Sequence, residues 1–124
     1  MASWSVDQLE RIGAADELRI TATRSDGRAS AAVPIWVVRV GDDVVVRSFR
    51  GADGAWFRHA IASGRADVFV GGMHVEVVVR AADEADAADV DEAYRAKYAR
   101  YGRSYLDVMT GPRARAATAR LTPA

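Results

Sequence analysis

The chain has 124 residues, 50% of them apolar, enough for one core and one domain over 1–124. Lys plus Arg and Asp plus Glu number 17 each, so no net charge draws it to nucleic acid or to an anionic membrane. It has no cysteine, which excludes disulfides, thiolate catalysis and sulfur-ligated zinc.

The start, MASWSVDQLERIG, has no basic segment followed by an apolar one, and no run approaches the roughly 20 apolar residues that span a bilayer. A soluble cytoplasmic protein with no membrane partner is the expectation. Ser3 or Ser5 before VDQLERI reads as a capped helix, with Val6, Leu9 and Ile12 on one face, Gly13 as its stop, and a place across a barrel mouth. From Glu17 the period becomes two. Leu18, Ile20 and Ala22 alternate with Arg19, Thr21 and Thr23, and Ser25-Asp26-Gly27 turns the chain into a return strand over 31–40. After the turn at 41–43 comes a strand over 44–49, and the valine density of both predicts burial on two faces. Pro34 cannot donate to a ladder, so it marks an edge, a bulge or a ligand approach.

Residues 55–63 read as a short crossover helix ended by Gly64, and 66–70 with 73–80 as a hairpin about Gly71-Gly72. In its second arm His74, Glu76 and Arg80 share a face that reads as solvated surface, and the two histidines have no metal-ligand spacing. Residues 87–99 form a helix with acidic residues early and basic ones late. A polar connection over 101–105, a last helical turn over 112–118 and a short strand over 119–122 complete the order. The fold class is mainly β (α+β): a small antiparallel barrel with an N-terminal, a mid-chain and a C-terminal helix.

The stretch SFRGADGAWFRHAIASG, residues 48–64, concentrates aromatic rings, cations and glycines where a plain reversal needs none of them. Trp56 and Phe57 are either a stacking wall for a planar ligand or core anchors of their helix. His59 is either a general acid or a satisfied structural histidine. Arg47 and Arg50 flank Phe49 at a strand end, where Gly51 and Gly54 let a ligand approach the backbone. Tyr94, Tyr98, Tyr101 and Tyr105 interleave with Arg95, Lys97, Arg100 and Arg103; zero net charge argues against a nucleic-acid partner and favours packing on a second subunit. A homodimer sharing the Trp36 strand and the segment around Tyr98 is therefore expected.

Five segments in order, TRSDGR at 23–28, VPIWV at 33–37, DVVVRS at 43–48, GAWFRHA at 54–60 and ADVFV at 66–70, resemble the split β-barrel flavin-binding superfamily that includes the pyridoxamine-phosphate oxidases. The likeness is closer to its deazaflavin-dependent nitroreductase branch and to the bacterial domain of unknown function family 2255. The resemblance implies a split barrel in which Arg24, Ser25 and Arg28 grip the phosphate-bearing tail of FMN or a deazaflavin. Pro34, Ile35 and Trp36 would line its ring, Arg47, Ser48 and Phe49 would give hydrogen bonds to its edge, and Trp56, Phe57, Arg58 and His59 would fall on the branch's Trp-Tyr-x-Asn helix; Arg50, Trp56 and Phe57 join them as candidate cofactor contacts. The chain departs from the branch at Asp26, an acid among the cations of the turn, and at His59, which stands for an asparagine.

The expected function is a flavin- or deazaflavin-binding oxidoreductase acting on a small-molecule ligand in a cleft between subunits, where the cofactor does the hard chemistry and no nucleophile need stand out. Two alternatives remain open: a split barrel without flavin that binds or rearranges an aromatic metabolite, and a non-enzymatic sensor.

Overall fold

In the computed structural model, which describes residues 3–124, Ser5 caps α1 (Val6–Ala14) by a reciprocal box. Its hydroxyl accepts from the Gln8 amide at 3.1 Å, and Gln8 Oε1 accepts from the Ser5 amide at 2.9 Å. The helix runs through Gly13, which has no positive φ, and stops where the Ala15 amide closes onto the Arg11 and Ile12 carbonyls. Leu9 and Ile12 enter the core. β1 (Leu18–Ala22) buries Leu18, Ile20 and Ala22, as the alternation predicts.

The return strand is broken. β2 (Val33–Ile35) pairs with β1, Leu18 opposite Ile35, and β3 (Val37–Val40) pairs with β4 (Asp43–Arg47), Val37 opposite Val46. Trp36 sits between them, outside either strand. Pro34 lies in β2, which pairs on one side only, so its missing N–H leaves no acceptor stranded.

A 3-10 turn (Gly51–Asp53) leads into α2 (Ala55–Ser63), which ends as expected at Gly64 with φ 70°. The hairpin of β5 (Arg65–Val70) and β6 (Met73–Ala81) follows, then α3 (Ala87–Tyr98). The predicted polar connection proves to be a 3-10 turn (Ala99–Tyr101) and a short helix, α4 (Arg103–Met109). α5 (Pro112–Ala116) and β7 (Thr118–Pro123) finish the chain.

All pairings are antiparallel, in the order β2-β1-β5-β6-β7-β4-β3 across a seven-stranded sheet. Because β2 and β3 at its two ends are consecutive in the chain, the sheet curls into a nearly closed split barrel. Its interior holds Ile20, Val37, Val46, Phe57, Val68, Val77 and Leu121. A second cluster lies outside, where Val38 and Val45 on the opposite faces of β3 and β4 meet Val90, Tyr94, Tyr98 and Met109. The valine runs are thus buried on both faces, as their composition predicts. Among the described residues no helix is long and apolar enough to cross a membrane.

Tyr98, expected near a subunit contact, is wholly buried within the chain. Its hydroxyl donates to the Asp16 carbonyl at 2.7 Å and accepts from the Val37 amide at 3.0 Å. Beside it Lys97, the sole lysine, donates to the Val37 carbonyl at 2.7 Å and the Ile12 carbonyl at 3.2 Å. Burial lowers its pKa to about 8, with the Asp16 charge opposing and Arg100 adding to the shift. Below about pH 8 the ammonium is charged in both the folded and unfolded chain; between there and the ordinary 10.5 only the unfolded chain holds the proton, so stability rises with pH across that window. The single lysine ¹³Cε resonance is expected to titrate near pH 8. Denaturant unfolding at pH 7.5 and 9.5 should show the wild type gaining on Lys97→Met, and a midpoint above 10 would contradict the burial.

Candidate functional site

The bend at Trp36 leaves β2 unpaired on the side that faces the end of β4. A cleft of about 380 Å³ opens there, lined by 33–36 on one side, 47–50 opposite, Gly54, Ala55 and Trp56 at its base, and Tyr105 and Met109 of α4. This volume lies within the roughly 300–1,000 Å³ of small-molecule sites.

Its chemistry is divided. At the base the Ser48 side chain is 1% exposed, and its Oγ is without any hydrogen-bond partner. A buried hydroxyl left so costs about 1–3 kcal/mol, which a bound acceptor or donor would recover. That Oγ lies against Gly54, where any Cβ would collide with it. Gly54 is also the N-cap of α2 and supplies no capping side chain. The first amides of the helix, including those of Ala55 and Trp56, have no intrahelical acceptor and add the positive end of the helix dipole. Hydroxyl and amides therefore face the same end of the cleft. Arg50 is exposed at its rim, its carbonyl held by Arg113 Nη2 at 2.9 Å.

Much of the remaining lining is aromatic. Phe49 stacks on Tyr105 with centroids 4.6 Å apart, Tyr105 tilts onto Trp36 at 4.7 Å, and Trp36 lies flat on Tyr98 at 3.9 Å and 3°. The ladder runs from the solvent into the second core. Phe49 and Tyr105 remain 42% and 46% exposed. Trp56 closes the base, edge-on to Phe57 with centroids 5.7 Å apart.

Eight of the residues expected from the sequence are brought together here: Pro34, Ile35, Trp36, Arg47, Ser48, Phe49, Arg50 and Trp56. Arg47 contributes to the wall, but its guanidinium is wholly buried and donates to Asp91, Thr118 and the Met109 and Ala87 carbonyls. Phe57 packs into the barrel core and does not line the cleft. His59, on the same helix, is half-buried and likewise outside the lining. Arg24, Ser25 and Arg28 occupy the exposed β1–β2 turn, where Asp26 accepts from the Arg28 amide at 2.9 Å, and none of them lines the cleft. Trp56 is 7% exposed, belongs to the barrel core and also lines the cleft. Tyr105 and Met109 were not foreseen as lining residues; Tyr105 stood out only as one of four tyrosines among cations. Among the described residues no cluster of three or more acids and histidines could hold a metal ion.

The contact between Ser48 and Gly54 is testable by calorimetry. Gly54→Ala should destabilise by about 1–3 kcal/mol through overpacking, since φ −60° itself suits alanine. Ser48→Ala should stabilise the ligand-free protein by about 1 kcal/mol by removing the unpaired hydroxyl, and the double variant should recover most of the Gly54→Ala loss. Additive effects would show that the two groups do not meet.

No curated protein matches the chain. Among solved structures, a conserved hypothetical protein from Mycobacterium tuberculosis aligns with a TM-score of 0.65 at 8% identity, over 99% of this chain and 81% of that one. An F420-H2 dependent reductase gives 0.63 at 14% identity, over 86% and 93%. An FAD-binding protein from Mesorhizobium loti gives 0.61 at 16%, over 98% and 91%. At these identities the likeness establishes the split-barrel fold. The family model described as an uncharacterized protein conserved in bacteria (DUF2255) matches residues 8–121, and the chain belongs to that family.

Proposed function

We propose that the cleft binds the flat ring of a flavin-type cofactor, FMN or a deazaflavin, and that the protein is an oxidoreductase acting on a small organic molecule. The observation that carries this reading is the buried, unpartnered Ser48 hydroxyl beside the uncapped start of α2, in a cleft also lined by aromatic rings. Both halves of a flavin-type ring find a match: a heteroatom-rich edge for the hydroxyl and amides, and a π-face for Phe49, Trp36 and Trp56. The named activities of the F420-H2 dependent reductase and the FAD-binding protein, which share the fold, support the same reading.

When bound, such a ring supplies two-electron transfer. The residues of this chain do the rest. Ser48 and the Ala55 and Trp56 amides orient the ring edge and stabilise negative charge there. Pro34, Ile35 and Trp36 present backbone and apolar surface to its flank, Phe49 and Tyr105 keep water from its face, and Arg50 at the rim offers a planar fork to a phosphate.

A second reading, a non-redox site for an aromatic metabolite, is favoured by one observation: the cations expected to grip a phosphate tail, Arg24 and Arg28, lie outside the cleft with Asp26 between them. Titration of the purified protein with FMN, a deazaflavin and riboflavin, followed by absorbance, separates the two. Wild type is expected to bind FMN, and Ser48→Ala to bind both FMN and riboflavin more weakly. Arg50→Ala should lose about tenfold for FMN, the size of a charge-assisted contact, and nothing for riboflavin, which lacks the phosphate. A wild-type protein that binds none of the three sinks the cofactor reading.

A further inference from the structure

We infer that Asp91 and Arg47 form a positioning pair that sets the spacing between the two walls of the cleft. One wall is the end of β4 with Ser48 and Phe49 beyond it; the other is α4, with Tyr105 and Met109. They belong to different elements, and no strand pairing links them. A single guanidinium does. Arg47 Nη1 donates both to Asp91 Oδ1 at 2.5 Å and to the Met109 carbonyl at 2.9 Å. Its Nε donates to Thr118 Oγ1 at 2.9 Å, and its Nη2 to the Ala87 carbonyl at 3.3 Å. Arg47 thereby holds the carbonyl of a lining residue of α4 while its own backbone leads directly into Ser48.

Asp91 fixes the guanidinium in turn. Its carboxylate is 2% exposed, and the oxygen that Arg47 does not use accepts from Arg115 Nε on α5 at 2.9 Å. A buried ion pair is a poor means of adding stability, because desolvation consumes most of the attraction, and an apolar pair of like volume packs as well. What it supplies is direction: a planar fork with its donors aimed at three separate elements, α3, α4 and β7, resists a change in the distance between them. Burial pushes the Asp91 carboxyl upward in pKa, but the hydrogen bonds from Arg115 and Arg47 outweigh it and leave the group below the usual carboxylate range, so the pair stays charged at neutral pH. Across the cleft mouth the Phe49 and Tyr105 rings, 4.6 Å apart, register the resulting spacing. Arg47, assigned by resemblance to the cofactor's edge, thus acts one layer behind the wall.

The inference rests on the cleft being a ring-binding site, and the test keeps the two apart. Riboflavin serves as probe with the full chain, in Asp91→Asn, in Arg47→Lys, and in Val79→Ala, whose side chain lies in the barrel core outside the cleft lining. The readouts are affinity and the fluorescence of the bound ring at saturation, which depends on its distance from the aromatic walls and not on how much protein is folded. Asp91→Asn and Arg47→Lys are expected to weaken riboflavin by about tenfold or more and to change the bound-state fluorescence. Val79→Ala should lower the melting temperature and change neither. Folded Asp91→Asn and Arg47→Lys proteins with wild-type affinity and fluorescence would overturn the inference. If Asp91→Asn does not fold, Arg115→Gln takes its place: a smaller shift in the same direction supports the pair, and none overturns it. If wild type binds no riboflavin, the ring-binding reading fails, and near-ultraviolet circular dichroism of the Phe49, Tyr105 and Trp36 stack decides instead, a signal unchanged by Arg47→Lys counting against the pair.

Discussion

One stretch of chain has to serve both ends of the sheet. Residues 33–40 pair with β1 through β2 and with β4 through β3, and an antiparallel sheet of this size otherwise leaves two exposed edges. The bend this demands falls at Trp36, and α3 holds it. The Tyr98 ring lies flat against the Trp36 indole, the Tyr98 hydroxyl takes the Val37 amide, and Lys97 takes the Val37 carbonyl. Closure at β3 forces separation at β2, because the two halves of a bent strand cannot both lie beside β4. The cleft is the geometric remainder of that separation. Its position at residues 33–36 and 47–50 follows from the bend.

Most of the framework was legible in the sequence because it depends on local period and punctuation. The alternation at Leu18, Ile20 and Ala22, the glycines at 64, 71 and 72, and the valine runs each place an element with little help from the rest of the chain. α4 was not legible: its inward side chains Leu106 and Met109 make a single helical turn, and most of its other residues face solvent. The break at Trp36 was equally hidden, since a bend in an apolar run leaves the alternation on either side intact.

The site divides along the same line. Residues grouped by sequence adjacency, from Arg47 to Arg50 with Trp56, did converge, because strand end, glycine turn and helix start are contiguous. Roles that depend on contacts distant in sequence did not show. Nothing local distinguishes Asp91 from the acids that favour the start of α3, and its function follows from a partner 44 residues away. Nor does the sequence separate an arginine that presents its fork to a ligand from one that turns it inward, as Arg47 does. The vacant bonding capacity of Ser48 is visible only once every neighbour is in place.

The two hydrophobic clusters explain why a chain this small keeps a cleft open. The barrel interior and the outer cluster share β3 and β4 as a common wall, with Val37 and Val46 facing one and Val38 and Val45 the other. Where that wall ends, at Trp36 and Arg47, neither cluster has side chains left to fill the space. Trp56 belongs to the first cluster, Trp36 and Met109 to the second, and all three line the gap. A close-packed interior would collapse across such a seam. The charged fork of Arg47, fixed by Asp91 on α3, opposes this from behind, since moving α4 inward would break its bond to the Met109 carbonyl with no water at hand to replace it. The same buried charge that adds little to stability therefore keeps two apolar cores from merging, and the surface left between them carries both the aromatic rings and the Ser48 hydroxyl.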